Sequence, residues 1–252
     1  MLPWTHAGPP GPAFIPADLM NYLNPDLDFE ALGRTLRTEG RVLIRDFFTA
    51  EVADALDRAL HAIDWELVYR DLNGDRRLTG EQLRGLTPQQ RMQLTEGIHS
   101  IARDGFQFSF FSDSLVRAVQ DGREDLLARF MRWMAGDEFL SPMREMSGDP
   151  QINGVYAQAT MYSRGNFLTT HDDHVEREDR RIAYVINLTR RWRPDWGGML
   201  HFTGEDGSVL ETYFPHFNSL SLFTVPQRHF VSYVPPFAMA ERQAITGWLI
   251  AA

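Results

Sequence analysis

In Phe167-Leu168-Thr169-Thr170-His171-Asp172-Asp173-His174, a histidine and an aspartate stand two positions apart. In an extended segment, side chains two residues apart point to the same face, so His171 and Asp173 can reach one metal ion while Asp172 points away. A helix would separate the two side chains by about 200° around its axis. We therefore predict an extended segment here, although a surface turn accounts for most isolated His-x-Asp pairs.

A second histidine far downstream supplies the third ligand that such a pair lacks. His229 follows an apolar segment at 220–225 and a short turn, so we expect it to begin a new strand. Two imidazoles and one carboxylate occupy one face of an octahedral Fe(II) and leave the opposite face open for a co-substrate and O₂. We predict that His171, Asp173 and His229 bind Fe(II).

An arginine begins the last apolar segment. Residues 242–250 alternate so that Arg242, Ala244, Thr246 and Trp248 share one face of a strand. A buried guanidinium is costly unless it meets an anion. We predict that Arg242 binds the far carboxylate of a 2-oxo acid, with Thr246 as a further cofactor-binding candidate. The alternative is an ion pair with Glu241 or another surface acid.

The composition limits the possible classes of protein. A formal net charge of -9 argues against a general nucleic-acid binder. The chain has no cysteine, which excludes disulfides, thiolate metal sites and cysteine nucleophiles. It has no lysine either, so any buried cation must be a guanidinium, which binds a carboxylate through two parallel hydrogen bonds.

The N-terminus and the apolar runs predict a location. Residues 1–16 are rich in proline and glycine and predict an irregular arm without the features of a secretory signal. No apolar run approaches the roughly 18 residues that a membrane span needs. We predict a cytoplasmic protein with no membrane partner.

The two halves of the chain differ in their patterns. Residues 17–150 predict an α-rich support, with helices at 28–38, 49–63, 87–103 and 123–147, strands at 41–47 and 106–110, and a polar loop at 70–86. Residues 151–252 predict a β core with strands at 152–162, 181–189, 198–203, 208–214, 219–225, 229–235 and 242–250. Short strands at this spacing are typical of a closed or double-sheet β structure, so we predict one domain over residues 17–252.

Three other features carry weaker signals. Asp71-Leu72-Asn73-Gly74-Asp75 hints at a calcium loop, but Arg76 and Gln82 stand where glycine and a bidentate glutamate are needed. The basic, aromatic run at 190–193 predicts a solvated loop, with contact to an acidic partner as the alternative. No role is assigned to His174, His201 or His216.

Several short motifs surround the predicted ligands. They are Tyr162, Phe167-Leu168, His171-Asp172-Asp173, Arg181-Ile182-Ala183-Tyr184, Trp196-Gly197-Gly198-Met199-Leu200, His229, Arg242 and Ile245-Thr246-Gly247-Trp248. With these motifs, residues 156–248 resemble the prolyl-4-hydroxylase-like branch of the 2-oxoglutarate- and Fe(II)-dependent oxygenases. The stretch is most similar to the hydroxylases of a ribosomal protein, and the N-terminal half matches only loosely.

The resemblance implies an α+β fold with a mainly β core, a double-stranded β-helix of the jelly-roll or cupin-like type with supporting N-terminal helices. It implies that Arg242 binds the 5-carboxylate of 2-oxoglutarate, assisted by the Tyr162 hydroxyl. Fe(II), 2-oxoglutarate and O₂ would be required, with ascorbate in a supporting role. Eukaryotic relatives carry a second, inactive barrel, which we expect to be missing here. If that barrel helps to recognise their protein substrate, the identity of the substrate is not carried over.

The predicted activity is hydroxylation of an unactivated C–H bond, in a prolyl residue of a protein or peptide, with release of succinate and CO₂. Two alternatives stay open. One is a hydroxylase of a free amino acid or small metabolite. The other, from a different class, is a non-catalytic β-barrel module with a degenerate or zinc-filled site.

Overall fold

The computed structural model describes residues 22–251, so the predicted arm at 1–16 lies outside the described residues. The helices are α1 (Phe29–Glu39), α2 (Ala50–Leu60), α3 (Gly80–Gly85), α4 (Pro88–Asp104), α5 (Leu115–Gln120), α6 (Leu126–Met134) and α7 (Asp137–Ser147). The strands are β1 (Arg41–Arg45), β2 (Glu66–Asp71), β3 (Gly74–Leu78), β4 (Phe108–Ser114), β5 (Gly154–Tyr162), β6 (Phe167–His171), β7 (Arg180–Asn187), β8 (Leu200–Thr203), β9 (Val209–Tyr213), β10 (Ser219–Thr224), β11 (His229–Val231) and β12 (Arg242–Ile250).

The strands of the described chain form one antiparallel sheet that nearly closes on itself. Their order is β1-β10-β7-β12-β5-β4-β6-β11-β8-β9, and the β2–β3 hairpin joins through β4. The two ends of this path approach each other, because Arg41 on β1 makes an ion pair with Glu211 on β9. The predicted β barrel is therefore confirmed, and its wall also includes strands from the first half of the chain.

The two faces of the sheet have different neighbours. On β12, Ile245 and Leu249 face outward and pack in one cluster with buried residues of the helices, such as Phe130 of α6. The alternate residue Trp248 packs with Phe202 and Phe223 inside the barrel. The period of two thus divides the strand between a helix-covered face and an interior face, which also carries Arg242 and Thr246.

The helices begin where capping residues allow them to. Asp28 accepts a hydrogen bond from the Ala31 N–H at the start of α1. Thr87 and Gln90 form a capping box at the start of α4, with Pro88 at its first position. None of the helices in the described chain is long and apolar enough to cross a bilayer.

The predicted polar loop at 70–86 is wrong. It contains a hairpin in which Asp71 of β2 pairs with Gly74 of β3, followed by helix α3. Asn73-Gly74 is a strong hairpin signal, and Gly74 adopts a positive φ of 110°. Charged side chains pair between Asp71 and Arg76, so a polar sequence still forms strands. That ion pair also occupies the carboxylate that a calcium loop would use.

Candidate metal centre

Three side chains meet at one end of the barrel. His171 ends β6 and His229 begins β11, and the two residues are direct partners in the antiparallel register. Asp173 Oδ1 lies 3.3 Å from His171 Nε2, and Asp173 Oδ2 lies 3.5 Å from His229 Nε2. One ligand atom from each of the three residues lies within 4.8 Å of the others, which is the spacing of ligands around one metal ion.

The route by which Asp173 reaches this point differs from the prediction. The strand ends at His171, and Asp173 adopts a left-handed backbone conformation with φ of 64° instead of continuing the extended segment. Aspartate is among the few residues that tolerate this conformation. Arg180 steadies the turn, because its Nη1 donates to the Asp173 carbonyl at 3.3 Å and lies 4.0 Å from Oδ1.

Backbone carbonyls set the tautomers of both histidines. His171 Nδ1 lies 3.0 Å from the Thr169 carbonyl oxygen, and His229 Nδ1 lies 2.7 Å from that of Gln227. A carbonyl oxygen only accepts, so the neutral rings carry their proton on Nδ1. Each Nε2 lone pair is then free toward Asp173, which is the arrangement that metal-binding histidines use.

The pKa shifts of His229 and Asp173 favour the protonation states that bind a metal ion. Burial, together with the nearby His171, lowers the pKa of His229 to about 4, although Asp173 opposes the shift. Burial would raise the pKa of Asp173, but the nearby rings of His171 and His229 outweigh burial and lower it. His229 is therefore a neutral imidazole and Asp173 a carboxylate near pH 7, and together with the His171 ring they form a donor set that fits Fe(II).

Arg242 is a buried cation with neutral partners. Only 3% of the residue is exposed. Its Nη1 donates to the Gly198 carbonyl at 2.8 Å and its Nη2 to Asn187 Oδ1 at 3.1 Å, while Nε has no partner among residues 22–251. Burial lowers its pKa to about 10, so it is protonated near pH 7. The structure thus shows no ion pair to Glu241, and the charge is left available for an anion.

Tyr162 connects the arginine to the metal centre. It faces Arg242 in the β5–β12 register, with the guanidinium carbon 5.5 Å from the ring centre, and it stacks on Phe110. Burial raises the pKa of Tyr162, while Arg242 lowers it and Asp173 raises it further. Its hydroxyl is therefore a protonated donor that experiences the charges of both Arg242 and Asp173.

The other predicted residue, Thr246, lies on the interior face of β12 between Arg242 and Trp248, and it is half-buried. Trp248 is covered by the guanidinium of Arg180, whose carbon lies 3.6 Å from a ring centre. Arg180 also pairs with Glu178 at 2.7 Å.

Sequence reasoning missed three residues that support predicted site residues. Arg180 donates to the Asp173 carbonyl, and Asn187 accepts from Arg242. Gln107 donates to Thr169, whose carbonyl meets His171 Nδ1. Asn187 and Gln107 are polar residues at an end of an apolar strand, which is the signal that could have marked them. Both are at most 2% exposed.

The unassigned histidines and the basic run are not part of the cluster of His171, Asp173 and His229. His174 is exposed, and His201 stacks on Phe230, with Nε2 3.0 Å from the Ser232 hydroxyl. His216 approaches Phe214 in the β9–β10 connection. In the basic run at 190–193, Arg190 is paired with two acids of α2, so part of its charge is already neutralised.

The sequence is also similar to sequences of known proteins. Residues 157–250 match the sequence model of the family described as "2OG-Fe(II) oxygenase superfamily". A curated relative, "Prolyl 3-hydroxylase sudestada1" from Drosophila melanogaster, is 30% identical over 125 residues, which are 42% of this chain and 22% of that protein. The match spans less than a quarter of the length of that relative.

Solved structures share the architecture. A Pseudomonas putida prolyl-4-hydroxylase aligns with a TM-score of 0.60 at 18% identity, over 89% of this chain and 99% of that chain. A Trichoplax adhaerens prolyl hydroxylase, in complex with a hypoxia inducible factor peptide fragment, aligns with a TM-score of 0.56 at 18% identity, over 88% and 89%. The predicted double-stranded β-helix and the resemblance to prolyl-hydroxylase-like 2-oxoglutarate oxygenases are confirmed, whereas the ribosomal-protein branch is not.

Proposed function

We propose that this protein is a 2-oxoglutarate- and Fe(II)-dependent dioxygenase that hydroxylates a prolyl residue of a protein or peptide. One observation carries the proposal: a His-Asp-His donor set and a buried arginine without an acidic partner share one barrel, linked by Tyr162. A metal site alone would fit many proteins. The added free cation fits a 2-oxo dicarboxylic acid.

Each residue then has a role. His171, Asp173 and His229 hold Fe(II), and the protonation states of His229 and Asp173 near pH 7 need no change for binding. Arg242 orients the 5-carboxylate of 2-oxoglutarate, and Tyr162 donates its hydroxyl to the same co-substrate. When bound, Fe(II) with 2-oxoglutarate and O₂ supplies the oxidation of a C–H bond, with release of succinate and CO₂. The barrel interior, lined by apolar side chains such as Phe202 and Phe223, excludes bulk water from this chemistry.

The substrate class rests on two kinds of support. Three similar proteins are named as prolyl hydroxylases, one of them with a bound peptide fragment. In this chain, Phe106 is 38% exposed and its ring lies 5.5 Å from that of His171. Aromatic walls are a recurring means of binding prolyl segments. A cytoplasmic location stays a prediction.

The test is turnover on peptides. We would incubate the purified protein with Fe(II), ascorbate, 2-oxoglutarate and a library of proline-containing peptides, and measure succinate and a mass gain of about 16 Da on a peptide, one oxygen atom. Asp173→Ala should remove both signals. Asp172→Asn is the matched control, because it removes an exposed neighbouring charge, keeps the acceptor for the His174 N–H at 3.1 Å, and should keep activity.

The same assay separates the alternatives. Succinate formation with free proline or another metabolite, and none with peptides, would replace the peptide substrate by a small molecule. Absence of any succinate above the Asp173→Ala background would refute the enzyme function.

A further inference from the structure

The side chain of Asn187 is part of a directed chain of hydrogen bonds in the barrel interior. Asn187 ends β7 and is 2% exposed. Its Nδ2 donates to Ser219 Oγ at 3.3 Å, and the Ser219 hydroxyl donates to the His216 carbonyl at 2.7 Å. Because a hydroxyl has one proton, Ser219 can only accept from Asn187. The amide oxygen of Asn187 must therefore face Arg242, whose Nη2 donates to it at 3.1 Å.

A second neutral acceptor holds the other side of the guanidinium. The Gly198 carbonyl receives Nη1 at 2.8 Å. Gly198 has a positive φ of 62°, and a Cβ added there would lie 3.1 Å from the Trp192 ring and 3.2 Å from Val234. This carbonyl is consequently held in place by a backbone that favours glycine.

The two acceptors fix the guanidinium without neutralising it. A guanidinium has five N–H donors. Asn187 and Gly198 use two of them, and the remaining donors, including the buried Nε, have no partner among residues 22–251. An aspartate at position 187 would accept the same hydrogen bond but would cancel the charge, and an apolar residue would leave the plane of the guanidinium free to rotate.

We propose that Asn187 is a positioning residue for the co-substrate: its neutral amide oxygen orients Arg242 while leaving the positive charge for the terminal carboxylate of a 2-oxo dicarboxylic acid. The inference rests on the proposed function and adds a determinant of co-substrate affinity and specificity. It predicts that Asn187 acts on the terminal carboxylate and on no other part of the co-substrate.

The experiment compares the wild-type protein with Asn187→Asp and Asn187→Leu. Calorimetry on the Mn(II)-loaded protein measures the binding of 2-oxoglutarate and of 2-oxobutyrate, which lacks the terminal carboxylate. We expect the dissociation constant for 2-oxoglutarate to rise roughly 10- to 100-fold, because the charged hydrogen bond between Arg242 and the terminal carboxylate is weakened. The rise should be larger for aspartate, which cancels the charge of Arg242, than for leucine. The dissociation constants for the monocarboxylic acid and for Mn(II) should stay within about threefold. In turnover, the KM for the co-substrate should rise, and kcat at saturation should change little.

A matched control separates positioning from a purely structural role. Asn218 is also a buried asparagine, and its amide donates to the Phe48 carbonyl at 2.8 Å and accepts from the Phe48 N–H at 2.9 Å. Asn218→Asp should lower the melting temperature without changing the affinity for 2-oxoglutarate. Should the Asn187 variants fail to fold, Ser219→Ala, which frees the Asn187 amide to rotate, should still weaken that affinity by roughly fivefold, the net value of one hydrogen bond.

The outcomes are distinguishable. Unchanged 2-oxoglutarate affinity in Asn187→Asp, or an equal loss of 2-oxobutyrate affinity, overturns the positioning role and leaves the proposed function standing. Failure of the wild-type protein to bind 2-oxoglutarate overturns both.

Discussion

Replacing Gln107 by leucine should lower the free energy of unfolding by more than the loss of one hydrogen bond, because the Gln107 amide makes four. Gln107 is 0% exposed. Its Nε2 donates to the carbonyls of Arg70 at 2.9 Å and Ile98 at 3.2 Å, and its Oε1 accepts from the N–H groups of Arg70 at 3.1 Å and Phe108 at 2.8 Å. One amide thus satisfies backbone groups of β2, α4 and β4.

The same residue is connected to the metal centre through its own backbone. The Gln107 N–H donates to Thr169 Oγ1 at 2.8 Å, and its carbonyl accepts from the Thr169 N–H at 2.9 Å. The Thr169 carbonyl in turn lies 3.0 Å from His171 Nδ1. Loosening Gln107 should therefore loosen the support of His171, a proposed metal ligand, as well as the hairpin.

The magnitude follows from the groups left without partners. Leucine has a similar volume, so little cavity forms, but four hydrogen bonds to backbone groups are lost. Net losses of about 1 kcal/mol per bond, and more for a buried group left unpaired, suggest a decrease of about 3–5 kcal/mol in the free energy of unfolding. This is a large fraction of the roughly 5–15 kcal/mol typical of a domain.

Urea denaturation of the metal-free protein measures this loss, and Mn(II) titration measures the effect on the metal centre. Gln243→Leu is the control, because Gln243 is 5% exposed, its Nε2 has only a 3.9 Å contact with Met161 sulfur, and its Oε1 has no partner in the described chain. If the two leucine variants differ by less than about 1 kcal/mol, within the net value of one hydrogen bond, the account of Gln107 is wrong.

Other consequences can be measured on the site itself. His229→Ala should abolish succinate formation while circular dichroism remains near that of the wild-type protein, and near-normal turnover would exclude His229 as a ligand. Arg242→Ala should weaken 2-oxoglutarate binding by about 3 kcal/mol, roughly 100-fold in affinity by calorimetry; an unchanged affinity would remove Arg242 from that role. The metal-free protein should lose stability as the pH falls from 6.5 toward 4. In this range His229 binds a proton in the unfolded chain but not in the folded protein, where its pKa is about 4. That loss amounts to about 3 kcal/mol at most, and urea midpoints for His229→Asn, which lacks the titrating ring, should show a shallower fall over the same range.

Much of the candidate site could be predicted because chemistry restricts which residue types can form it. In a chain without cysteine or lysine, an Fe(II) ligand must be histidine or a carboxylate, and a buried cation must be arginine. Alternation along residues 242–250 was enough to put Arg242 and Thr246 on one face. The Asn73-Gly74 hairpin was equally predictable, but its cross-strand ion pairs were mistaken for the polarity of a loop.

The supporting residues could not be predicted, because their partners are distant in the chain. Asn187 meets Arg242 across 55 positions and Gln107 meets Thr169 across 62. A local pattern specifies whether a residue is buried, but only the sheet register specifies which acceptor a buried donor finds. Even Asp173 reaches its neighbours through a left-handed turn rather than through the extended spacing that suggested it. The proposed ligands are therefore set by residue type, whereas their orientation and the affinity we expect of them depend on uncharged groups supplied by the folded barrel.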